Sequence, residues 1–139
     1  MGISLFGTPL VGTVQEAEYR RVFAAMSQDH LDALMVIDAP ENVANQRVIV
    51  ELVEKARLPA IYPERGAVEL GGLMAYAQDR RELFRQAAKQ IDKILRGAKP
   101  QDIPFYRATK FELILNLQTA KALGLTFPRW LLPDEVVVE

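Results

Sequence analysis

GGLMAYAQDRRELFRQAAKQIDKILRGAKPQDIPFYRATKFELILNLQTAKALGL, residues 71–125, is the stretch that decides the fold. The apolar run LMAYA at 73–77 is typical of a buried strand, and the glycine pair before it favours a flexible entry into the sheet or a close backbone approach. Apolar residues then recur at helical spacing from Arg80 to Arg96, behind Asp79 as a candidate helix cap. These apolar residues are Leu83, Phe84, Ala87, Ala88, Ile91, Ile94 and Leu95. The pattern predicts a strand followed by an amphipathic helix.

The second part of the same stretch predicts another strand and another helix. Gly97 and Pro100 end the amphipathic helix, because glycine suits the position just past a helix and proline cannot continue one. A loop follows, and FELILNL at 111–117 predicts a strand. Residues Gln118–Leu123 predict a short helix that closes at Gly124.

The residues upstream show the same alternation of elements. The spacing of apolar side chains predicts helices over Val14–Asp29 and Glu41–Arg57, and short apolar runs predict strands at 33–39 and 60–62. A strand, a helix and a strand in this order form a βαβ unit, whose crossover is right-handed in nearly all proteins. The chain is therefore predicted to be a single α/β domain over residues 1–139.

The composition indicates an ordinary globular domain and argues against several kinds of partner. The 139 residues are 50% hydrophobic and 25% charged and contain no cysteine, which excludes disulfides and cysteine-ligated metals. A net charge of −1 provides no field that would attract nucleic acid. The first residues lack the pattern of a secretory signal. As written, the chain is expected in the cytoplasm, or in the periplasm if it is a fragment of an exported protein.

The sequence contains no pattern typical of catalysis or of a cofactor site. The phosphate-binding motifs GxGxxG and GxxxxGK[ST] are absent, and so is a nucleophile elbow. His30 is the only histidine. It follows a predicted helix, where a cation faces the negative end of the helix dipole, and this role is favoured over catalysis. The sequence therefore predicts no enzyme activity, no cofactor and no metal site.

Polar residues follow the predicted strands at their carboxyl ends, where open α/β sheets collect ligands. The candidate pocket consists of the loops Asp38–Asn42 and Tyr62–Gly66 and the turn Tyr76–Asp79. Backbone amides at the starts of the following helices are suited to bind a carboxylate there. An alternative needs no ligand: Asp38 and Asp79 also suit helix caps. Arg80 and Arg81, beside Asp79, are typical of a solvated helix surface.

Several motifs resemble one known family. GGLMAYA, DKILRGAKPQDIP and LNLQTAKALGL stand in the order and spacing found in the closing segment of ABC transporter substrate-binding proteins. ALMVIDAPEN and RLPAIYPERG match as well, so the resemblance runs from Ala33 onward. The family is similar to periplasmic binding proteins of the type I fold, which hold a ligand between two lobes. The resemblance implies the second, C-terminal lobe, a three-layer α/β structure with a mostly parallel sheet and helices on both faces.

The resemblance also implies a function, partners and contact residues. Several members of the family take up amino acids or related small molecules, so the chain is expected to be the substrate-binding component, or a one-lobe relative, of an ABC transporter with its permease. Ala77 departs from the family's usual glycine, and the first lobe is missing, so ligand binding is expected to be weak or lost. Carried over position by position, the implied ligand contacts are Asp38, Ala39, Pro40, Glu41, Glu64, Arg65, Tyr76 and Gln78.

Residues 105–139 resemble the segment that returns to the first lobe, whereas the part of 71–125 through Pro100 is expected to belong to the lobe that is present. Without the first lobe, the apolar residues of 111–117 would form an exposed patch, which soluble proteins do not leave bare. The strand therefore either folds back on its own lobe or pairs with a second chain in a homodimer. The alternative function is a structural remnant that self-associates and binds nothing.

Overall fold

Four strands form one sheet in the computed structural model, which describes residues 2–7, 9–11, 15–26 and 31–132. The strands lie side by side in chain order. The first three are parallel, and the fourth runs antiparallel to the third. The predicted class, α/β with a mostly parallel sheet, is confirmed. The strands are β1 (Leu34–Met35), β2 (Ala60–Tyr62), β3 (Met74–Gln78) and β4 (Phe111–Leu115).

The helices follow the predicted alternation with two differences. The helix predicted over residues 41–57 is divided at Asn45, and the loop predicted at Tyr62–Gly66 leads into a short helix that begins at Arg65. The ends of the helix predicted over residues 14–29 lie outside the described residues. The helices are α1 (Glu16–Met26), α2 (Pro40–Ala44), α3 (Gln46–Ala56), α4 (Arg65–Glu69), α5 (Arg80–Leu95) and α6 (Leu117–Ala122), with 3₁₀ turns at Pro100–Asp102 and Arg129–Leu131.

The core lies between one face of the sheet and the helices α1, α3 and α4. Side chains alternate between the faces of a strand, so the strand pairing places Tyr62, Ala75 and Ile114 on the same face. All three are buried together with apolar residues of the three helices. The buried cluster consists of Tyr19, Ile49, Val50, Val53, Ala60, Tyr62, Ala67, Val68, Ala75, Ala77 and Ile114.

The opposite face of the sheet is only partly covered by the described residues. Met35, Tyr76 and Phe111 are 68%, 55% and 45% exposed there. Topology explains the asymmetry. The connections from β1 to β2 and from β2 to β3 step in the same direction across the sheet. Because parallel connections are right-handed, both place their helices on the same face. The helical layer on the second face is therefore incomplete in the part of the chain that the structure describes.

The glycine pair before β3 confirms the predicted close backbone approach. Gly71 has a φ of 108°, which favours glycine, and turns the chain after α4. At Gly72, a Cβ atom would lie 2.8 Å from the carbonyl oxygen of Ala67 and 2.7 Å from Cε2 of Tyr62. Only glycine allows α4 to pack this tightly against the start of β3.

The strand β4 completes the core of its own lobe. Ile114 and Leu115 are fully buried, and every residue of β4 is paired with a residue of β3. The following Asn116 donates its backbone N–H to the Leu73 carbonyl at 2.9 Å, and its side chain caps α6 by accepting the Thr119 N–H. Of the two arrangements that the sequence allowed for this strand, the structure shows the one that folds back on its own lobe.

The helix α5 has the predicted bounds and caps, but its apolar stripe does not pack on the core. Asp79 accepts the backbone N–H of Glu82 at 3.0 Å, which confirms the predicted N-cap. Past the other end, Gly97 has a φ of 99°. The one residue of α5 that is buried is Glu82, whereas Phe84, Ile91 and Leu95 are exposed. Covering the apolar stripe therefore requires something beyond the described residues.

Candidate functional site

A cavity of about 590 Å³ lies at the carboxyl ends of β2 and β3, where the sequence places the candidate pocket. Four of the eight residues implied by the resemblance line it, namely Asp38, Glu64, Arg65 and Gln78. Further lining residues are Pro63, Glu69, Ala77, Asp79, Arg80, Arg81, Leu83 and Glu112. The volume falls within the range of about 300–1,000 Å³ that is typical of small-molecule sites.

Two ion pairs cross the cavity and connect different elements. Nη1 of Arg80, at the start of α5, lies 2.6 Å from Oε2 of Glu64, which follows β2. Nη2 of Arg65, at the start of α4, lies 3.0 Å from Oε2 of Glu112 on β4. The side chains of Arg65 and Glu112 are 37% and 38% exposed. At this exposure, an ion pair is worth no more than about 1 kcal/mol, so a charged ligand can exchange with it at low cost.

The helices that begin around the cavity differ in whether a side chain caps their first backbone N–H groups. The Asp79 carboxylate accepts the backbone N–H of Glu82, which confirms that Asp79 caps α5. For α2, the N-cap is Ala39, without a side-chain cap, so Asp38 does not cap this helix. Asp38 is an exposed carboxylate in the cavity wall. Of the two aspartates, Asp38 is therefore the one that is available to a ligand.

The other four residues implied by the resemblance do not line the cavity. Ala39, Pro40 and Glu41 form the turn into α2 and its first residues. Tyr76 points to the opposite face of the sheet, where its ring stacks on Phe111 with centroids 5.3 Å apart and planes 10° apart. Side chains alternate along β3, so Ala75 and Ala77 face the core and Tyr76 faces the other side. Gln78 has the parity of Tyr76, but it is the last residue of the strand and lines the cavity there.

The loop after β1 is held in place by hydrogen bonds of Asn42. Its side-chain amide donates to the Ile37 carbonyl at 3.0 Å, and its side-chain oxygen accepts from the Tyr19 hydroxyl at 2.9 Å. Burial, together with the nearby Glu41 carboxylate, raises the pKa of Tyr19, so this hydroxyl remains a donor. The fixed loop positions Asp38 at the cavity.

Sequence reasoning missed Arg80, Arg81 and Glu112 as cavity residues. The two arginines follow the capping Asp79 and are typical of solvated surface, although the end of β3 places them at the ligand edge. Glu112 was missed for a topological reason: the sequence did not predict that β4 pairs antiparallel with β3, which sets Glu112 opposite Ala77. The one signal in the sequence was the single polar residue within the apolar run FELIL.

Other kinds of site find no support among the described residues. No group of histidine, cysteine or acidic side chains there is suited to hold a metal ion. No described helix is long and apolar enough to cross a membrane. Tyr62 is buried rather than part of the cavity, and burial raises its pKa. His30, the candidate for a helix-end role, lies outside the described residues.

Comparisons with known proteins identify relatives that bind small molecules. The family described as ABC transporter substrate binding protein matches residues 6–137. A tyrosine-binding protein from Clostridioides difficile is 27% identical over 95 residues, which are 68% of this chain and 28% of that protein.

Solved structures give the same picture of the fold. An ABC domain from Streptococcus pneumoniae in complex with L-Trp matches with a TM-score of 0.76 and 25% identity, over 88% of this chain and 42% of that chain. A conserved domain protein from Vibrio cholerae matches with a TM-score of 0.77 and 19% identity, over 89% of this chain and 41% of that chain. The chain therefore spans less than half the length of the relatives that it matches.

Proposed function

The chain belongs to the family of ABC transporter substrate-binding proteins, and on this premise we propose that it binds an amino acid at the carboxyl ends of β2 and β3. Members of this family bind small-molecule ligands, work with ABC permeases and are typically periplasmic or extracellular; it is not a family of enzymes. Two relatives support the choice of ligand, one named as tyrosine-binding and one solved with L-Trp. In this proposal the chain presents its ligand to an ABC permease.

The observation that carries the proposal is the presence of both charge signs in one cavity. An amino acid has an ammonium group and a carboxylate, and each needs an opposite charge when it leaves water. Arg65 and Arg80 provide cations, whereas Asp38 and Glu64 provide anions in the same walls. Charge-assisted hydrogen bonds of these kinds are roughly twice as strong as neutral ones. The side-chain amide of Gln78 adds both a donor and an acceptor.

We assign the direct ligand contacts to Asp38, Glu64, Arg65, Gln78 and Arg80. Arg65 binds the ligand carboxylate after releasing Glu112, because its fork of N–H donors matches a carboxylate. Asp38, which is not used as a helix cap, accepts from the ligand ammonium. The turn at residues 39–41 and the ring of Tyr76 lie outside the cavity walls, so in this proposal they contact only a ligand that extends past the rim.

Isothermal titration calorimetry with L-tyrosine and L-tryptophan tests the proposal, with the other amino acids screened by thermal shift. A cavity walled on one side buries only part of a ligand, so we expect a dissociation constant of about 1 mM or weaker. Arg65→Gln should weaken binding at least about tenfold. Arg47→Gln, an exposed arginine of α3 outside the cavity, is the matched control and should leave binding unchanged. Absence of heat and of any thermal shift with every amino acid would refute the proposal.

We further propose that the chain forms a homodimer through the region of Phe111 to Leu117. In the described sheet, β4 pairs with β3 on one side and is an edge strand on the other. Edge strands present unpaired backbone groups to other chains, and a two-fold axis at β4 would join two sheets into one. Phe111 and Leu117 are 45% and 38% exposed at the two ends of this region. Light scattering should give twice the chain mass, and a monomer mass would reject this arrangement.

The open edge at β4 also favours the second candidate function, a self-associating structural protein that binds no ligand. Measurements of mass and of amino acid binding distinguish the two functions. A dimer that binds no amino acid supports the structural function, whereas a titration that is abolished by Arg65→Gln supports ligand binding whatever the mass.

A further inference from the structure

A second cavity, of about 350 Å³, lies at the amino ends of β2 and β3. Leu58, which precedes β2, and Leu73, which precedes β3, line it together with the last turns of α3 and α6 and the turn between α4 and β3. It shares no lining residue with the cavity of the candidate site at the carboxyl ends of the strands. Its volume falls within the range that is typical of small-molecule sites. A molecule bound there would not compete directly for the candidate site.

Two hydrogen bonds from side chains to the backbone join the walls of the second cavity. Nη2 of Arg57, which follows α3, donates to the Ala122 carbonyl of α6 at 3.1 Å. Oγ1 of Thr119 on α6 donates to the Gly71 carbonyl at 2.9 Å. Arg57 has a φ of 52°, a left-handed conformation that is unfavourable for a residue with a side chain. Its side chain links α3 to α6, so the walls are held together at this position.

The wall of the second cavity contains a buried hydroxyl without a partner. Tyr62 is 2% exposed, and its hydroxyl has no hydrogen-bond partner among the described residues. Cε2, beside the ring carbon that carries the hydroxyl, lies 2.7 Å from where a Cβ of Gly72 would stand, and Gly72 lines the second cavity. The hydroxyl end of the ring therefore lies at this cavity. Most buried polar atoms in proteins are hydrogen-bonded, because an unpaired one is destabilising. A ligand oxygen would supply the partner that Tyr62 lacks.

The rest of the lining defines the chemistry of that ligand. Burial raises the pKa of Tyr62, so its hydroxyl stays protonated and is available as a donor. Arg57 and Glu54 are exposed lining residues of opposite charge, so the lining does not select a net charge. Most of the other lining side chains are apolar, namely Val50, Val53, Leu58, Leu70, Leu73 and Leu123. The lining therefore suits a neutral, mostly apolar molecule.

We propose that the second cavity binds a small neutral molecule with an apolar body and one acceptor oxygen, such as a ketone, which accepts a hydrogen bond from the Tyr62 hydroxyl. Leu70, in the wall, is 38% exposed. A rotamer change there lets the ligand oxygen reach the buried hydroxyl, and such side-chain changes are common on binding. A zwitterionic amino acid does not suit this cavity, because its two charges would leave water without two charged partners in the apolar wall. The proposal is therefore independent of the ligand at the candidate site.

Acetophenone and ethylbenzene test the hydrogen bond, because they have similar shapes and differ in the carbonyl oxygen. Binding to the full chain is followed by the shifts of backbone amide signals in proton–nitrogen correlation spectra. We expect both compounds to shift signals of the second cavity, such as those of Leu73 and Leu123. Acetophenone should bind at least about tenfold more tightly, because ethylbenzene leaves the buried hydroxyl unpaired.

Three variants relate this binding to the second cavity. Tyr62→Phe removes only the hydroxyl and should reduce the preference for acetophenone to about twofold or less. Ala122→Phe places a ring at an exposed position of the cavity wall and should abolish binding of both compounds. Ala88→Phe makes the same change at an exposed position of α5, outside this cavity, and is the matched control that should leave binding unchanged. If Tyr62→Phe does not fold, Ala122→Phe and its control still test the location.

Three results would overturn the proposal. The first is the absence of shifts at the second cavity with acetophenone and with cyclohexanone, a second ketone. The second is an equal preference for acetophenone in the wild type and in folded Tyr62→Phe, which would show that the hydroxyl contacts no ligand. The third is binding that survives Ala122→Phe, which would place the ketone elsewhere. None of these results bears on amino acid binding at the candidate site, which the Arg65→Gln titration measures separately.

Discussion

Helix α5 and strand β4 come from the same sequence stretch and carry equally clear apolar patterns, yet their environments are opposite. In β4, Ile114 and Leu115 are fully buried in the core of the lobe. In α5, the apolar stripe is exposed, and the buried residue is the charged Glu82. An apolar pattern thus predicts that a face is covered but not which element or chain covers it. The strand stabilises the lobe, whereas the helix presents a surface.

The largest difference between the two regions should appear when a buried and an exposed isoleucine are compared. Ile114→Ala removes a fully buried side chain and should lower the free energy of unfolding by about 2–5 kcal/mol. Ile91→Ala, at a position that is 56% exposed, should change it by less than about 0.5 kcal/mol. Urea unfolding followed by circular dichroism measures both values.

If the alanine variant of Ile114 does not fold, Ile114→Val is compared with Ile91→Ala instead. Ile114→Val should lower the free energy of unfolding by about 0.5–1.5 kcal/mol. Equal losses at the two positions would show that α5 is packed as tightly as β4, contrary to the structure.

A smaller loss of stability is expected from substitutions at the start of β3, the strand that pairs with β4. Gly72→Ala would place a Cβ atom 2.8 Å from the Ala67 carbonyl oxygen. The resulting overpacking should cost about 1–3 kcal/mol. Gly71→Ala is the comparison variant, because open space surrounds that position and only its φ of 108° is unfavourable. It should cost about 1–2 kcal/mol. A Gly72→Ala protein as stable as the wild type would argue against close packing of α4 on β3.

Removal of the N-cap of α5 should destabilise this helix without lowering the stability of the sheet. Asp79→Ala removes the bond to the Glu82 N–H, which is worth about 1 kcal/mol to a helix. Since most of the apolar stripe is exposed in the part of the chain that the structure describes, little packing holds the helix, and we expect a lower helical signal at 222 nm in circular dichroism. The urea midpoint of the sheet, reported by the β3 and β4 amides, should not change. A parallel loss in both signals would show that α5 unfolds together with the core.

The smallest expected effect is a pH dependence of the stability of α5, which arises from the ionisation of Glu82. Hydrogen bonds from Gln86 and Arg85 lower the pKa of this carboxylate from its ordinary value of 4.5. The pKa of Glu82 is lower in the folded state than in the unfolded state, so its ionised carboxylate stabilises α5 fully above the unfolded-state pKa. This stabilisation is lost as the pH falls through the folded-state pKa. Because Arg85 is largely exposed, solvent screening keeps this effect small. The helical signal of Glu82→Gln should therefore change less between pH 5 and pH 2 than that of the wild type, and identical pH profiles would exclude this role.

Most of the fold follows from local patterns in the sequence. The caps and bounds of α5, the strands β2 and β3 and the glycine pair were all predicted, because each rests on residues close together in the chain. The sequence did not predict that β4 pairs with β3 or that α3 and α4 share one face of the sheet. Both depend on strand order, which local periodicity does not contain.

Half of the candidate site could be predicted for the same reason. Asp38, Glu64, Arg65 and Gln78, which follow from the strand-end rule and the family resemblance, line one cavity, and their contact with a ligand stays a prediction. Tyr76 lies outside the cavity walls, because alternation along β3 turns its side chain to the other face, where it stacks on Phe111. Glu112 was missed because its position depends on the antiparallel pairing of β4.

Hydrogen exchange of backbone amides tests the difference between β4 and α5 most directly. In the purified chain, the β4 amides that bond to β3 should exchange only through global unfolding, with a strong dependence on denaturant. The α5 amides should exchange through local opening, with free energies well below the global value and little dependence on denaturant. Protection of α5 equal to that of β4 in the isolated chain would contradict the assignment of β4 to the core and of α5 to an exposed helix that the core does not hold.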